Sequence, residues 1–188
     1  MKASINKETY EKIYDALGKV SPVEFDCGMI CGASCCVPEG REENDGEELG
    51  MYLLPGEEAV HDMNDSWLSW EVEAASDYDF PKSWDGAVCF VNCNVNPSEC
   101  HRDKRPIQCR TFPLLPHLDK KKGLCLIYDD SDLPYECPLI TNRSELNEDF
   151  IEETYKAWEI LITDPLIYDL VKMDSDRRSK HVEIIKQS

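Results

Sequence analysis

The sequence predicts an α+β fold: one domain, residues 1–188, with a small antiparallel sheet, flanking helices and cysteine-rich metal-binding loops. Two observations predict it. Apolar residues recur at helical spacing near both ends of the chain, whereas the middle holds short strand-like segments. No internal repeat or domain-sized linker interrupts them. A chain of 188 residues can bury about two-thirds of its unfolded surface, so a metal is not needed as the only source of stability.

Helices are expected at both ends. Residues 6–18 form the first, which ends at Gly18. The C-terminal helical segment, residues 146–188, is predicted to contain two more, the second of which begins at Asp164 as N-cap with Pro165 in its first turn. The first of the two carries an apolar face made of Ile151, Tyr155, Trp158 and Ile162.

The sequence predicts short strands in the middle of the chain. Residues 51–54 form one, and a helix can begin at Pro55 directly after it. Residues 87–91 form another, and 111–118 with 124–128 predict a hairpin around a charged turn. The four tryptophans are expected to pack in the core.

The chain is strongly acidic, with a formal charge of −18, which disfavours a nucleic-acid partner. No stretch approaches the roughly eighteen apolar residues of a membrane helix, so no membrane partner is expected. The first eight residues lack an apolar run typical of a secretory signal, which favours a cytoplasmic location. Residues 37–48, rich in Glu, Asp and Gly, are expected to be a solvated loop.

The ten cysteines dominate the functional prediction, because eight of them fall into two segments. In a reducing compartment, clustered cysteines are more often metal-binding or catalytic than disulfide-bonded. Two such segments that converge in space are typical of a thiolate metal site. The first segment contains Cys27, Cys31, Cys35 and Cys36, and the second contains Cys89, Cys93, Cys100 and Cys109.

The spacing of the cysteines in the first segment predicts where their sulfurs point. Two glycines weaken a helical assignment and permit tight turns around an ion. In a helix, the four-residue spacing would align Cys27, Cys31 and Cys35 on one face. Either geometry presents these three sulfurs to a common point, and Cys36 faces elsewhere.

Cations surround the end of the second segment and favour thiolate over thiol at Cys100 and Cys109. A basic surface loop is the alternative interpretation. His101 adjoins Cys100, yet a surface histidine is favoured there because consecutive residues seldom bind one metal. The four fixed cations are Arg102, Lys104, Arg105 and Arg110.

Three motifs stand out: Cys27-x3-Cys31-x3-Cys35-Cys36, Leu54-Pro55-Gly56-Glu57-Glu58, and Arg105-Pro106-Ile107-Gln108-Cys109-Arg110-Thr111-Phe112-Pro113. Together they resemble the YkgJ-like cysteine-cluster proteins, described as zinc- or iron-chelating domains. The resemblance spans about residues 27–139, which form the core motif region. Two spacings depart from the family pattern: the first gap has three residues, where two are commoner, and the interval from Cys100 to Arg105 is one residue short.

The resemblance implies a cysteine-bound metal or an iron–sulfur centre. Cys93, and less directly Cys89, would match the upstream cysteine of the second segment. Cys137 lies outside the core motif as an extra candidate ligand, and Cys125 is expected to be a small buried hydrophobe. The ligands that the resemblance implies most directly are Cys27, Cys31, Cys35, Cys36, Cys100 and Cys109.

The identity of the cofactor stays open between zinc and an iron–sulfur cluster, because all-sulfur tetrahedral sites suit both. Zinc is slightly favoured, and eight cysteines could hold two centres. An iron–sulfur protein in a redox or protein-methylation pathway is one alternative, since flagellin lysine N-methylases carry a similar cysteine domain. A disulfide-linked extracytoplasmic interaction domain is the other.

No catalytic motif is recognised. The sequence lacks a Gly-x-Ser-x-Gly elbow, a Walker loop, a Gly-x-Gly-x-x-Gly turn and a His-Glu-x-x-His helix. No catalytic residue is assigned, and a non-enzymatic protein whose partner is a metal ion is favoured over an enzyme.

Overall fold

Helices from both ends of the chain pack with two small sheets, which confirms the predicted α+β class. The structure, a computed structural model, describes residues 2–36, 51–96, 99–133, 135–142, 145–178 and 182–187. The predicted acidic loop at 37–48 lies outside these ranges. In the described ranges, no helix combines the length and apolarity needed to cross a bilayer. The α-helices are α1 (Lys7–Leu17), α2 (Gly28–Cys31), α3 (Ile107–Thr111), α4 (Pro138–Thr141), α5 (Glu148–Leu161) and α6 (Pro165–Arg177).

The predicted N-terminal helix is confirmed as α1. Its first turn is capped by Asn6, whose side-chain oxygen accepts a hydrogen bond from Thr9 N at 2.9 Å. The chain leaves the helix at Gly18, as expected. The apolar face of α1 buries Tyr10, Ile13 and Leu17 in the core.

The predicted C-terminal helices are confirmed as α5 and α6. Asp164 caps α6 through Leu166 N at 2.8 Å, and Pro165 follows in the first turn. The same buried carboxylate accepts hydrogen bonds from the Ser4 hydroxyl at 2.8 Å and from Ile5 N at 3.3 Å. One aspartate therefore fixes both the start of α6 and the N-terminal segment of the chain.

The first sheet contains three antiparallel strands in the order β1-β3-β2. The expected strand at 51–54 is shorter than predicted, because Leu54 N turns to donate to the Glu57 carboxylate at 2.9 Å. Trp67, Trp84 and Trp158 are buried as predicted, whereas Trp70, also expected in the core, is only half-buried. The strand β2, which begins just after Trp67, was not predicted. The strands are β1 (Met51–Tyr52), β2 (Leu68–Ala74) and β3 (Ala87–Cys93).

The second sheet confirms the predicted hairpin and adds a third strand, in the order β4-β5-β6. The third strand corrects the prediction that residues 146–188 are helical, because residues 184–187 pair with β5 instead. Asp119 fixes the turn, since its side-chain oxygen accepts from the backbone N–H groups of Lys121 and Lys122 at 2.8 and 2.9 Å. The first strand starts later than expected because the preceding residues form α3. The strands are β4 (Leu114–Asp119), β5 (Gly123–Tyr128) and β6 (Ile184–Gln187).

The helix expected after Pro55 is a single 3₁₀ turn over Glu57–Val60. Gly56 enters this turn at φ 90°, and a Cβ there would lie 2.9 Å from the Ala3 Cβ. Glycine is therefore required at this position by both the backbone and the packing.

Leu161 offers a test of the core. It lies on α5 with no exposed surface, whereas its neighbour Ile160 is 42% exposed. We expect Leu161→Ala to lower the free energy of unfolding by about 2–5 kcal/mol, because it removes buried methyl groups and leaves a cavity. The matched control Ile160→Ala should cost roughly 0.5 kcal/mol or less. Urea denaturation of both variants measures the difference, and equal losses would contradict this assignment of the core.

Candidate metal centre

Four cysteines from separate parts of the chain interact electrostatically with the Arg105 guanidinium. Arg105 Nε donates to Cys100 Sγ at 3.0 Å, and the same guanidinium interacts electrostatically with Cys36 and Cys109. Cys93, at the end of β3, interacts with both Cys100 and Cys36. The structure thus brings the two cysteine segments together. We name this group, Cys36, Cys93, Cys100 and Cys109, the Arg105 cluster.

An ion pair joins the two cysteine segments directly. Arg102 pairs with Asp26, the residue before Cys27, and Asp26 also accepts from Gly28 N at 3.0 Å. This carboxylate consequently orders the start of the first segment and attaches it to the second.

Only part of the predicted cationic environment acts on the cysteines. Lys104 pairs with Asp65 at 2.7 Å. Arg110 turns toward α1, where its guanidinium lies 4.3 Å from the Tyr14 ring centroid and donates to Tyr14 O at 3.2 Å. Arg105 and Arg102 are the cations that face the sulfurs.

The thiol pKa values differ across the Arg105 cluster. The pKa of Cys36 falls to about 6, because the Cys35 thiol, 3.9 Å away, donates to its sulfur and both Arg105 and Arg102 favour the thiolate. Burial instead raises the pKa of Cys109 to about 12, although Arg105 opposes this shift. Burial also raises the pKa of Cys93. The expected stabilisation of thiolates by cations therefore appears at Cys36 but is outweighed by burial at Cys109.

The remaining cysteines of the first segment line a small cavity of their own. The short helix α2 is followed by two residues with left-handed backbone, Gly32 at φ 64° and Ala33 at φ 61°. This turn leaves Cys27, Cys31 and Cys35 on the wall of a small cavity that Phe112 and Tyr135 also line. The common orientation of these three cysteines agrees with the sequence prediction. Cys36 was expected to face elsewhere, but its sulfur lies 3.9 Å from Cys35 Sγ, so Cys35 and Cys36 bring the two cysteine clusters into contact.

The fourth thiol of this cavity is Cys137, which the sequence placed outside the core motif. It is buried, and it interacts electrostatically with Cys31. Sequence separation concealed this neighbour, since more than a hundred residues lie between the two cysteines. We name this second group, Cys27, Cys31, Cys35 and Cys137, the Cys137 cluster.

Two cysteines and one histidine lie apart from both clusters. Cys89 precedes Cys93 by four strand residues, roughly 13 Å along β3, and packs beside a small apolar group that includes Trp67. Cys125 is fully buried in β5, as predicted. His101 is exposed against the Trp67 ring, which confirms the surface interpretation.

All ten cysteines are free thiols. Across the described ranges, no three Cys, His, Asp or Glu side chains are already arranged as a metal site. The donor set of the Arg105 cluster nevertheless suits a soft metal, because it combines four sulfurs with an adjacent guanidinium that can offset thiolate charge.

No family model, curated protein or solved structure matches the chain.

Glu57 positions the helix that carries Cys109, and sequence analysis missed this role. Its fully buried carboxylate accepts from Ile107 N at 2.7 Å, at the start of α3, and from Leu54 N at 2.9 Å. The Tyr14 hydroxyl donates to the same carboxylate at 2.6 Å. The sequence places Glu57 within the Leu54-Pro55-Gly56-Glu57-Glu58 motif and predicts a helix start at Pro55, but neither signal indicates that the carboxylate is buried.

His61 extends this network to the surface of the first sheet. The Tyr14 hydroxyl donates its one proton to Glu57, so its oxygen accepts from His61 Nε2, 2.9 Å away. The His61 ring also packs edge-on against Trp70. Burial, followed by Arg110 and Lys104, lowers the pKa of His61 to about 4.

Replacing Glu57 tests its positioning role. In Glu57→Gln an amide N–H₂ replaces one accepting oxygen, so at least one buried N–H or O–H loses its acceptor. We expect a loss of about 2–3 kcal/mol in the free energy of unfolding and faster alkylation of Cys109 by iodoacetamide, followed by mass spectrometry. The exposed neighbour provides the control Glu58→Gln, which should change neither quantity. Unaltered Cys109 reactivity in Glu57→Gln would contradict the role.

The network of Glu57, Tyr14 and His61 also predicts that the stability of the fold depends on pH. Folded His61 has a pKa near 4, below the ordinary 6.5, so the folded protein binds fewer protons than the unfolded chain between these values. This contribution to stability is present above pH 6.5 and is lost as the pH falls toward 4. NMR titration of the imidazole C–H signals should place the His61 midpoint near 4, and a midpoint near 6.5 would refute the buried arrangement.

Proposed function

We propose that this chain is a cysteine-rich metal-binding protein of the cytoplasm, in which the Arg105 cluster holds the ion. One observation carries the proposal: Cys36 from the first segment interacts electrostatically with Cys93 and Cys109 from the second, and Arg105 interacts with all four cysteines of the cluster. The resemblance to YkgJ-like proteins implies these four cysteines as ligands, together with Cys27, Cys31 and Cys35. Zinc is the favoured ion, and an iron–sulfur cluster is the alternative that the same sulfurs could hold.

The charge of the surroundings supports a thiolate centre. Four thiolates and a divalent ion carry a net charge of about −2. Arg105 lies in direct contact with Cys100 and offsets part of this charge, and Arg102 adds to the positive potential at Cys36. Metal binding would also displace the protons from Cys93 and Cys109, whose pKa values burial raises.

The Cys137 cluster is a candidate for a second centre. Its support is the small cavity lined by all four of its sulfur-bearing residues. The surroundings are more apolar than those of the Arg105 cluster, because Phe112, Pro138 and Leu139 share the wall. Loading of this group should therefore require a higher metal concentration or a higher pH than loading of the Arg105 cluster.

A metal in the Arg105 cluster would join the first cysteine segment to β3 and α3. The site would then act mainly to organise these segments, either for metal handling or for presentation of their surface to a partner protein. We assign no reaction to it.

The test is metal analysis of protein purified without oxygen, combined with a visible spectrum. Cys100→Ser removes the sulfur in contact with Arg105 and should weaken metal affinity roughly tenfold or more. Cys31→Ser probes the Cys137 cluster in the same way. Zinc without colour indicates a zinc site, whereas iron with sulfide and visible absorption indicates a cluster.

Cys125→Ser is the matched control, because Cys125 is buried in β5 away from both clusters and should affect packing but not metal content. Unchanged metal content in Cys100→Ser would refute the Arg105 cluster as the site. Purified protein that contains no metal and no free thiols would refute the proposal as a whole and favour disulfides.

A further inference from the structure

A second cavity lies on the other side of α3, away from the cysteines. It has a volume of about 380 Å³, is open on one side and is lined by residues of α3, β4, α5 and α6 and by residues 129–131, which follow β5. Gln108 and Thr111 line it from α3, three residues apart and thus on one face of the helix. This volume is within the usual range for sites that hold small organic molecules.

Two residues that line the cavity each carry a buried polar atom with no partner among the described residues. Trp158 Nε1 and Thr111 Oγ1 make no hydrogen bond within the described part of the chain, although the two residues are only 3% and 1% exposed. Buried polar groups in native proteins are nearly always paired. A tryptophan N–H can only donate, so it calls for an acceptor atom in its partner.

The charges of the cavity favour a cation. Asp129, Asp130 and Asp174 line it, with Arg177 and Arg178. Both arginines already have partners: Arg177 pairs with Asp79 at 2.9 Å, and Arg178 pairs with Asp130 at 3.1 Å. The excess charge is therefore negative.

Asp174 is the carboxylate available to a ligand. It is half-buried on α6, and no described residue donates a hydrogen bond to it, whereas Asp129 accepts from Ser131 N at 2.9 Å. Burial raises the pKa of Asp174, with Arg178 and Arg177 opposing the shift. A bound cation would stabilise the ionised carboxylate in this environment.

Aromatic and aliphatic walls complete the site. Tyr52 and Trp158 supply rings that can face a cation, and Leu170 and Val171 supply apolar surface. Tyr52 interacts electrostatically with Asp174, so one of these rings lies close to the carboxylate. The Tyr52 ring is itself held by edge contacts with Phe80 and Trp84 at 5.0 and 5.9 Å.

We propose that this cavity binds a small organic amine. The Asp174 carboxylate holds the ammonium group, and Leu170 and Val171 contact the apolar body. The site is separate from the cysteine clusters and does not depend on a bound metal.

The experiment compares three probes that share one carbon chain. Calorimetric titration of the wild-type protein with n-hexylamine, n-hexanol and sodium hexanoate should give affinities in that order, with the amine on the order of millimolar. Hexylamine should also shift the Trp158 indole N–H signal in the NMR spectrum. Hexanoate binding as well as or better than hexylamine would overturn the proposal, as would the absence of any hexylamine binding.

Asp174→Asn should weaken hexylamine binding roughly tenfold or more while hexanol binding stays the same, because a charge-assisted hydrogen bond is lost. Asp176→Asn on the same helix is the matched control, since Asp176 is exposed and pairs with Lys172 outside the cavity. Equal hexylamine affinity in wild type and Asp174→Asn would overturn the proposal. If Asp174→Asn does not fold, the wild-type protein decides the question: hexylamine should shift the Trp158 indole N–H signal more than hexanoate does, and an equal or larger shift with hexanoate would overturn the proposal.

The ammonium group could belong to a free metabolite or to a lysine side chain of a peptide. Nα-acetyl-lysine N-methylamide distinguishes these sources: binding tighter than that of hexylamine indicates a peptide, and weaker binding indicates a free amine. Either result supports the amine class, provided that Asp174→Asn weakens the binding roughly tenfold or more.

Discussion

The buried carboxylate of Glu57 is the interaction on which the candidate centre depends. It accepts hydrogen bonds from Tyr14 on α1, from Leu54 after β1 and from Ile107 at the start of α3. A fully buried carboxylate is costly unless its oxygens are paired, and these three donors pair both of them. The position of α3, and with it that of Cys109, is therefore fixed by hydrogen bonds from three separate segments.

The short helix α3 separates two sites of different chemistry. Cys109 faces the sulfurs of the Arg105 cluster, whereas Gln108 and Thr111 line the acidic cavity. Because five residues supply both walls, a shift of α3 would alter the two sites together. Binding at one site could then influence the other, with the Glu57 network as the rigid element that limits such movement.

The sequence predicted the elements that local chemistry determines. Asn6 and Asp164 cap their helices, and the turn after Asp119 forms the expected hairpin. It did not predict β2, because half-buried strands of a small sheet show little alternation in hydrophobicity. Nor did it reveal the role of Glu57, since an acidic residue after a proline looks the same whether it is solvated or buried.

The candidate site was predicted in part, because cysteine spacing indicates that the cysteines cluster but not which of them lie together in the fold. Cys93 joins the Arg105 cluster and Cys89 does not, because the two cysteines lie four residues apart along β3. Cys137 lies near Cys31 only because the folded chain packs these distant segments together.

The central claim is that sulfur atoms alone bind the metal, and X-ray absorption at the metal edge of anaerobically purified protein tests it most directly. The account predicts a shell of sulfur at about 2.3 Å. A shell dominated by nitrogen or oxygen at about 2.0–2.1 Å would contradict it.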